Sequence, residues 1–136
     1  MRIPLLLLAL AAGAPSAHAL QGDPVESATY RVLFDAQWSS NTHPTQFPIG
    51  AHFSRLIGGT HGDGYQLWAP GGIATNGVEL MAEQGNASGI QNEVNAQIAL
   101  GNAEFVLRGN SGFIDGTGQS AITFTVTSEH PLVSLV

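Results

Sequence analysis

The chain has 136 residues, no cysteine and four basic side chains, all arginine, against ten carboxylates, for a formal charge of −6. So thin a set of cations cannot supply the phosphate contacts that carry nucleic-acid affinity, or a basic patch for an anionic lipid surface. Without cysteine there is no disulfide framework, thiolate zinc site or cysteine nucleophile. With 43% hydrophobic and 10% charged residues, the composition is that of a folded domain rather than a disordered one.

Met1-Arg2 is a short positive start to the apolar run Ile3 to Leu10, and Ala17-His18-Ala19 has the small-x-small pattern of a leader cleavage site. The run is shorter than the roughly 20 residues a spanning helix needs. Residues 1–19 are therefore expected to be an export leader cleaved after Ala19, with no transmembrane segment behind it. Cleavage removes Arg2 and no acid, leaving 117 residues at a charge of −7. A secreted or periplasmic chain of this size and composition folds by burial alone, around one compact core.

Residues 20–27 contain Gly22, Asp23 and Pro24 without periodicity and read as a leader tail, so the domain is expected to span 28–136. Tyr30, Val32, Phe34, Ala36 and Trp38 alternate with Arg31, Leu33, Asp35 and Gln37, the period of two of a half-buried strand. Ser39 to Pro48 is a polar loop that delivers the chain to Ala51-His52-Phe53. A short strand is expected at Tyr65 to Trp68, bracketed by turns at Gly58-Gly59 and Gly71-Gly72. Val78, Leu80, Met81 and Ala82 predict a short helix closed by Gly85, and Ile90, Val94 and Ile98 predict a second from Ser88 to about Leu100, with those three on one face. Phe105-Val106-Leu107 predicts a strand, Gly109 to Gly118 a loop, and Ala121 to Ser128 a strand with Ile122, Phe124 and Val126 on one side and threonines on the other. Pro131 to Val136 reads as the opening of another apolar strand, with no turn signal behind it. The whole predicts a mainly β fold, an antiparallel β-sandwich with one or two short helical insertions.

The chemistry-bearing residues are scattered. His43, His52 and His61 fall at equal spacing and are candidate metal ligands, the basis for an alternative reading as a secreted metal-dependent hydrolase. Each sits in a separate Pro- or Gly-flanked segment, however, which favours hydrogen bonding to loop carbonyls or aromatic packing. Ser54 with His52 or His61 and Asp63 offers the residue types of a nucleophilic triad but no Gly-x-Ser-x-Gly elbow; Gly109-Asn110-Ser111-Gly112 has its serine in the wrong register. Asp35, Glu79, Glu83, Glu93, Glu104 and Asp115 show no spacing that singles out a catalytic pair. Asp63 and Asp115 each supply one carboxylate to a Gly-rich turn, thin for calcium's six to eight oxygens. Trp38, Trp68 and Tyr65 are sugar-stacking candidates that serve a core equally well. Asn86-Ala87-Ser88 is a glycosylation sequon.

Trp38-Ser39, Thr42-His43-Pro44, Phe47-Pro48, Ala51-His52-Phe53-Ser54, Ile57-Gly58, His61, Leu67-Trp68, Gly72-Ile73-Ala74, Gly77-Val78 and Ala82-Glu83-Gln84-Gly85 occur in that order, followed by His130-Pro131-Leu132-Val133-Ser134-Leu135. The set resembles the spondin amino-terminal domain family of F-spondin and mindin, over about residues 28–136. The resemblance implies an extracellular antiparallel β-sandwich without catalytic activity, acting in cell adhesion and surface recognition on an extracellular or cell-surface ligand. It also implies a domain that continues beyond Val136, where the family's calcium ligands lie. The chain is thus expected to hold a truncated domain with no resident cofactor, and with Ala121–Ser128 and Leu132–Val136 left as an unpaired apolar edge.

Overall fold

A computed structural model describes residues 25–136; the expected leader, 1–19, and the first part of the tail, 20–24, lie outside the described residues. In chain order the elements are β1 (Ser27–Asp35), β2 (His52–Ser54), β3 (Ile57–His61), α1 (Asn76–Gln84), α2 (Ser88–Ala99), β4 (Ala103–Arg108), β5 (Phe113–Asp115), β6 (Gln119–Thr127) and β7 (Leu132–Leu135). All strand pairs are antiparallel: β1 with β6, β2 with β5, and β3 in the middle of a β4-β3-β7 sheet. The fold is mainly β with two helices, as the alternation and the threonine-rich strands predict.

Three layers result. The inward face of β1–β6 meets the central sheet through Ile122, Phe124 and Val126, which pack with Leu107 of β4, and Val32, Leu56 and Leu135 close the edges of that core. On the other side of the central sheet, Ile57 packs with Met81 of α1, Ile90 and Val94 of α2, Leu67 and Ala103. Central strand β3 is therefore buried along its whole length. Both helices follow their sequence signals. Thr75 caps α1 by accepting the Val78 N–H, and Gly85 ends it in the left-handed region at φ 64°. Ile90 and Val94 of α2 are fully buried, with Ile98 packed beside them. The helices touch backbone to backbone, since a Cβ on Gly89 would stand 2.8 Å from Gly77 Cα.

Four expectations are corrected. Tyr65 to Trp68 forms no strand; Leu67 reaches the core from irregular backbone, while Trp68 is half exposed and donates its Nε1–H to the Leu135 carbonyl at 3.1 Å. Gly58-Gly59 is no turn but the centre of β3, because only bare backbone fits there: a Cβ on Gly58 would collide with the Ser134 carbonyl, and one on Gly59 would stand 2.7 Å from Val94 Cγ1. The Gly109–Gly118 loop contains β5, which pairs with β2 through three residues. Finally, Ala121–Ser128 and Leu132–Val136 are each paired along one side, with the other side left open as an edge among the described residues. β6 runs nine residues in register with β1, and β7 pairs with β3, extended by reciprocal Ile57–Val136 backbone bonds of 3.0 and 2.9 Å.

Candidate functional site

The three equally spaced histidines go to three different environments. His61, 3% exposed on β3, has Nδ1 2.8 Å from the Gly62 carbonyl and Nε2 2.8 Å from Ser134 Oγ. A carbonyl only accepts, so in the neutral ring Nδ1 carries the proton and Nε2 receives the Ser134 hydroxyl. His52 donates from Nδ1 to the Gly50 carbonyl at 2.7 Å and lies edge-on to Phe113. His43 bonds Thr42 Oγ1 at 3.0 Å and stands edge-on to Trp38. Among the described residues no three His, Asp or Glu side chains gather where they could hold a metal ion. The convergence of His43, His52 and His61 that the hydrolase alternative requires is therefore not formed among the described residues. Of the triad candidates, His61 has both ring nitrogens occupied away from Ser54, and His52 engages the Gly50 carbonyl through Nδ1, with no hydrogen bond from Ser54 to either ring among the described residues.

The motif residues at the end of β1 do converge. Pairing continues past the strand through Ala36 N–H to Gly118 O at 2.9 Å and Trp38 N–H to Gly116 O at 2.7 Å, which fixes the Trp38 backbone. The following loop is tied by Thr42: its hydroxyl donates to the Gln37 carbonyl at 2.7 Å and accepts the Ser39 N–H at 3.0 Å, while the His43 N–H reaches Ser39 O at 2.8 Å. Side-chain bonds of this kind replace the ladder where the strand ends. They hold His43, Phe47 and Phe53 around the Trp38 indole, with ring centroids 6.5, 6.1 and 5.6 Å away. The result is an open aromatic recess of about 430 Å³ lined by Gln37, Trp38, His43 and Phe53. Edge and tilted contacts give such rings defined geometry, and their remaining faces suit stacking against a planar or sugar-like surface.

The carboxylates serve local structure. Asp35 accepts from Gln119 Nε2 at 2.7 Å and Gln37 Nε2 at 3.3 Å, and these bonds, Gln119's first, hold its carboxyl below the ordinary value of 3.8. Glu93 reaches from α2 to the start of α1, accepting the Gly77 N–H and the Thr75 hydroxyl, both at 2.7 Å. Nearby, Tyr65 has a buried hydroxyl with no hydrogen-bond partner among the described residues; that burial, and then the Glu93 charge, raise its pKa above 10.0. Glu104 accepts the Thr127 hydroxyl at 2.8 Å and faces His130 Nδ1 at 3.7 Å, while His130 Nε2 donates to the Gly101 carbonyl at 3.0 Å. Asn86 is exposed between the helices, its Oδ1 accepting the Ser88 N–H at 3.0 Å. Sequence reading missed the Glu93 clasp and the His61–Ser134 pair, because both join residues that only the folded chain brings together.

No helix among the described residues is long and apolar enough to cross a membrane. Comparison with known proteins adds the family. The Spondin_N family model matches residues 28–136. Spondin-2 of Homo sapiens is 31% identical across 97% of this chain, which spans 41% of that protein, and spondin-2 of Rattus norvegicus is 30% identical across 80%, spanning 34%. Spondin-1 of Rattus norvegicus is 42% identical across 52% of this chain, which spans only 9% of that longer protein. The folded region, and with it the Trp38 loop, the β3 glycines and the β7 strand, belongs to the spondin amino-terminal domain family.

Proposed function

We propose that residues 28–136 form an extracellular, non-catalytic recognition module that attaches to a surface or matrix ligand, delivered by cleavage of the leader after Ala19. The observation that carries this reading is the family match along 28–136. The Trp38 recess supports it, since it presents aromatic faces on a loop held by side-chain bonds rather than by the core. The dispersal of the histidines supports a module without metal-dependent hydrolysis.

The test is saturable binding of the secreted protein to arrays of glycans and matrix proteins, beside the His43→Ala and Trp38→Leu variants. Expected is binding to a restricted ligand class that weakens at least tenfold in Trp38→Leu, with circular dichroism showing both variants folded. Absence of saturable binding, or zinc-dependent hydrolysis lost together in His43→Ala, His52→Ala and His61→Ala, would overturn the reading. Intact-mass measurement of the exported product checks the leader; a product still beginning at Met1 counts against cleavage after Ala19.

A further inference from the structure

The polar groups around the Trp38 recess are spent on the loop itself. A sugar held on ring faces also needs donors and acceptors at the rim, because each hydroxyl left without a partner costs affinity. Gln37 gives its Nε2–H to Asp35 at 3.3 Å, and its carbonyl accepts the Thr42 hydroxyl at 2.7 Å. Ser39 and Thr42 satisfy one another, the Ser39 N–H reaching Thr42 Oγ1 at 3.0 Å and the Thr42 N–H reaching Ser39 Oγ at 3.3 Å. Since the Thr42 proton goes to Gln37, the neutral His43 ring donates from Nδ1 to Thr42 Oγ1 at 3.0 Å and keeps its lone pair on Nε2. What the lining has left to offer is chiefly ring face and acceptor atoms. The charge around it has one sign. The described arginines lie elsewhere: Arg31 and Arg55 line other hollows, and Arg108 donates to Gln91 Oε1 at 2.6 Å. The charged group bonded to the lining is the Asp35 carboxylate, which Gln119 and then Gln37 hold below its ordinary range. Aromatic faces carry negative charge density that attracts a cation, and a quaternary ammonium has no N–H left to satisfy there.

We propose that the recess binds a quaternary ammonium group, of the kind choline carries, against the Trp38 and Phe53 rings beside neutral His43. The proposal rests on the reading of the recess as the recognition surface and adds the class of ligand that this surface takes. Phe47 is part of the arrangement without lining it, since it stands edge-on to Trp38 at 6.1 Å and fixes the indole. Two properties of the binding follow. Attraction between a cation and two solvent-accessible rings favours choline over an uncharged isostere by roughly fivefold to thirtyfold. A positive charge introduced at the rim opposes the ligand, and because the recess is open the loss is at least about fivefold rather than complete.

The chain has two tryptophans, so the Trp38 indole N–H can be followed by NMR with Trp68, whose Nε1–H is tied to the Leu135 carbonyl at 3.1 Å, as internal reference. The protein is titrated at constant ionic strength with choline, with its uncharged carbon isostere dimethylbutanol and with methyl glucoside. Expected is a saturable Trp38 shift with millimolar choline, weaker binding of dimethylbutanol by roughly fivefold to thirtyfold, no saturation with the glucoside, and an unmoved Trp68. His43→Arg should weaken choline at least about fivefold and leave dimethylbutanol within about twofold, whereas His43→Gln, which adds no charge, should keep choline within about threefold of the parent. Equal affinities for choline and dimethylbutanol, or choline binding undiminished in His43→Arg, would overturn the proposal. A Trp38 shift with the glucoside and none with choline would overturn it as well while leaving the recess as a recognition surface; a choline shift in a protein that binds nothing on the arrays would uphold the site and count against the surface-recognition reading. Sedimentation with phosphatidylcholine vesicles, competed by free choline, supports a lipid headgroup as the source, and a choline shift without vesicle binding supports a free compound. The ligand comparison is made on the parent protein, so its outcome stands even where a variant folds poorly.

Discussion

Replacing Glu93 by alanine removes the single side chain that ties α2 to the first turn of α1. Its carboxylate accepts the Gly77 N–H and the Thr75 hydroxyl, each at 2.7 Å. The two losses are unequal. Thr75 is exposed, so its hydroxyl turns to water at little cost, whereas Gly77 is buried at the contact with Gly89 and its N–H has no easy substitute. A buried donor that loses a charged acceptor costs about 1.5–3 kcal/mol, and loss of a negative charge at a helix N-terminus costs about 0.3–1 kcal/mol more. The expected destabilisation of Glu93→Ala is therefore about 2–4 kcal/mol, which for a domain of this size lowers Tm by roughly 8–20 °C. Glu93→Gln keeps a carbonyl oxygen for Gly77 and should lose only about 1 kcal/mol. Urea unfolding of the two variants measures this, with Glu83→Ala, an exposed change on α1, as a control expected within about 0.5 kcal/mol of the parent. Glu93→Ala falling within that same margin would refute the clasp, and Glu93→Gln as damaging as Glu93→Ala would show that packing rather than hydrogen bonding sets the cost.

Tyr65 gives a pH signature of the same corner. Its pKa is raised by burial and then by the Glu93 charge, so the stability it contributes is complete below pH 10.0 and declines as pH climbs through the raised value. Phenolate absorbance in a Tyr30→Phe background should titrate above 10.0 and move back toward it, though not all the way, in Glu93→Gln; no movement would place the whole shift on burial. Asp35 works in the opposite sense: its lowered carboxyl contributes stability above pH 3.8 that is lost as pH falls through the depressed value, and Gln119→Leu should bring its NMR titration back toward 3.8. Among the histidines, His61→Ala should cost about 2–4 kcal/mol by emptying a buried position and unpairing the half-buried Gly62 carbonyl and Ser134 hydroxyl, whereas the exposed His43→Ala and His52→Ala should each cost under about 1 kcal/mol. Stoichiometric zinc in the parent, lost in each of the three variants, would contradict the separate placements.

Period-two alternation located β6 and period-four spacing located α2, because in each one face is buried and the other is wet, while β1 shows the same alternation with only Val32 and Phe34 half-buried on its apolar face. α1 was legible from its apolar cluster and its closing glycine. Strand β3 was not, because it is buried on both faces and shows no alternation, and its Gly58-Gly59 has the composition of a turn. Strands β2 and β5 have three residues each, too few for a period to register. Tyr65 to Trp68 failed in the other direction: its side chains are useful to the core, yet its backbone joins no ladder, and β4 and β7 occupy both edges of β3. The equal histidine spacing carried no spatial information, because the segments between the histidines differ in conformation. Glu93 was visible only as one carboxylate among several, as its partners lie 16 and 18 residues away.

The motifs that carry the family resemblance divide into two physical classes. Gly58, Gly59, Thr60 and His61 on β3 pair with Leu135, Ser134, Val133 and Leu132 on β7, Ile57 exchanges backbone bonds with Val136, and Trp68 bonds the Leu135 carbonyl. Segments separated by about seventy residues thus form one junction, where the His61–Ser134 bond spans |i−j| = 73 and Phe105 N–H is satisfied by Thr60 Oγ1 at 3.1 Å. A strand buried on both faces has no water to satisfy its polar groups, so every such partner is required for folding. Trp38-Ser39 and Thr42-His43-Pro44 stand apart from that requirement. Their loop is anchored at its Trp38 end by backbone bonds and otherwise by its own side chains, and exposed Thr42 and His43 contribute little burial to either core. The junction motifs therefore serve the fold, and the Trp38 loop, free of that requirement, is where the proposed recognition surface is to be tested. Substitutions at Thr42 and His43 should then alter ligand choice while leaving Tm within a few degrees of the parent, and substitutions at His61 and Ser134 should do the reverse.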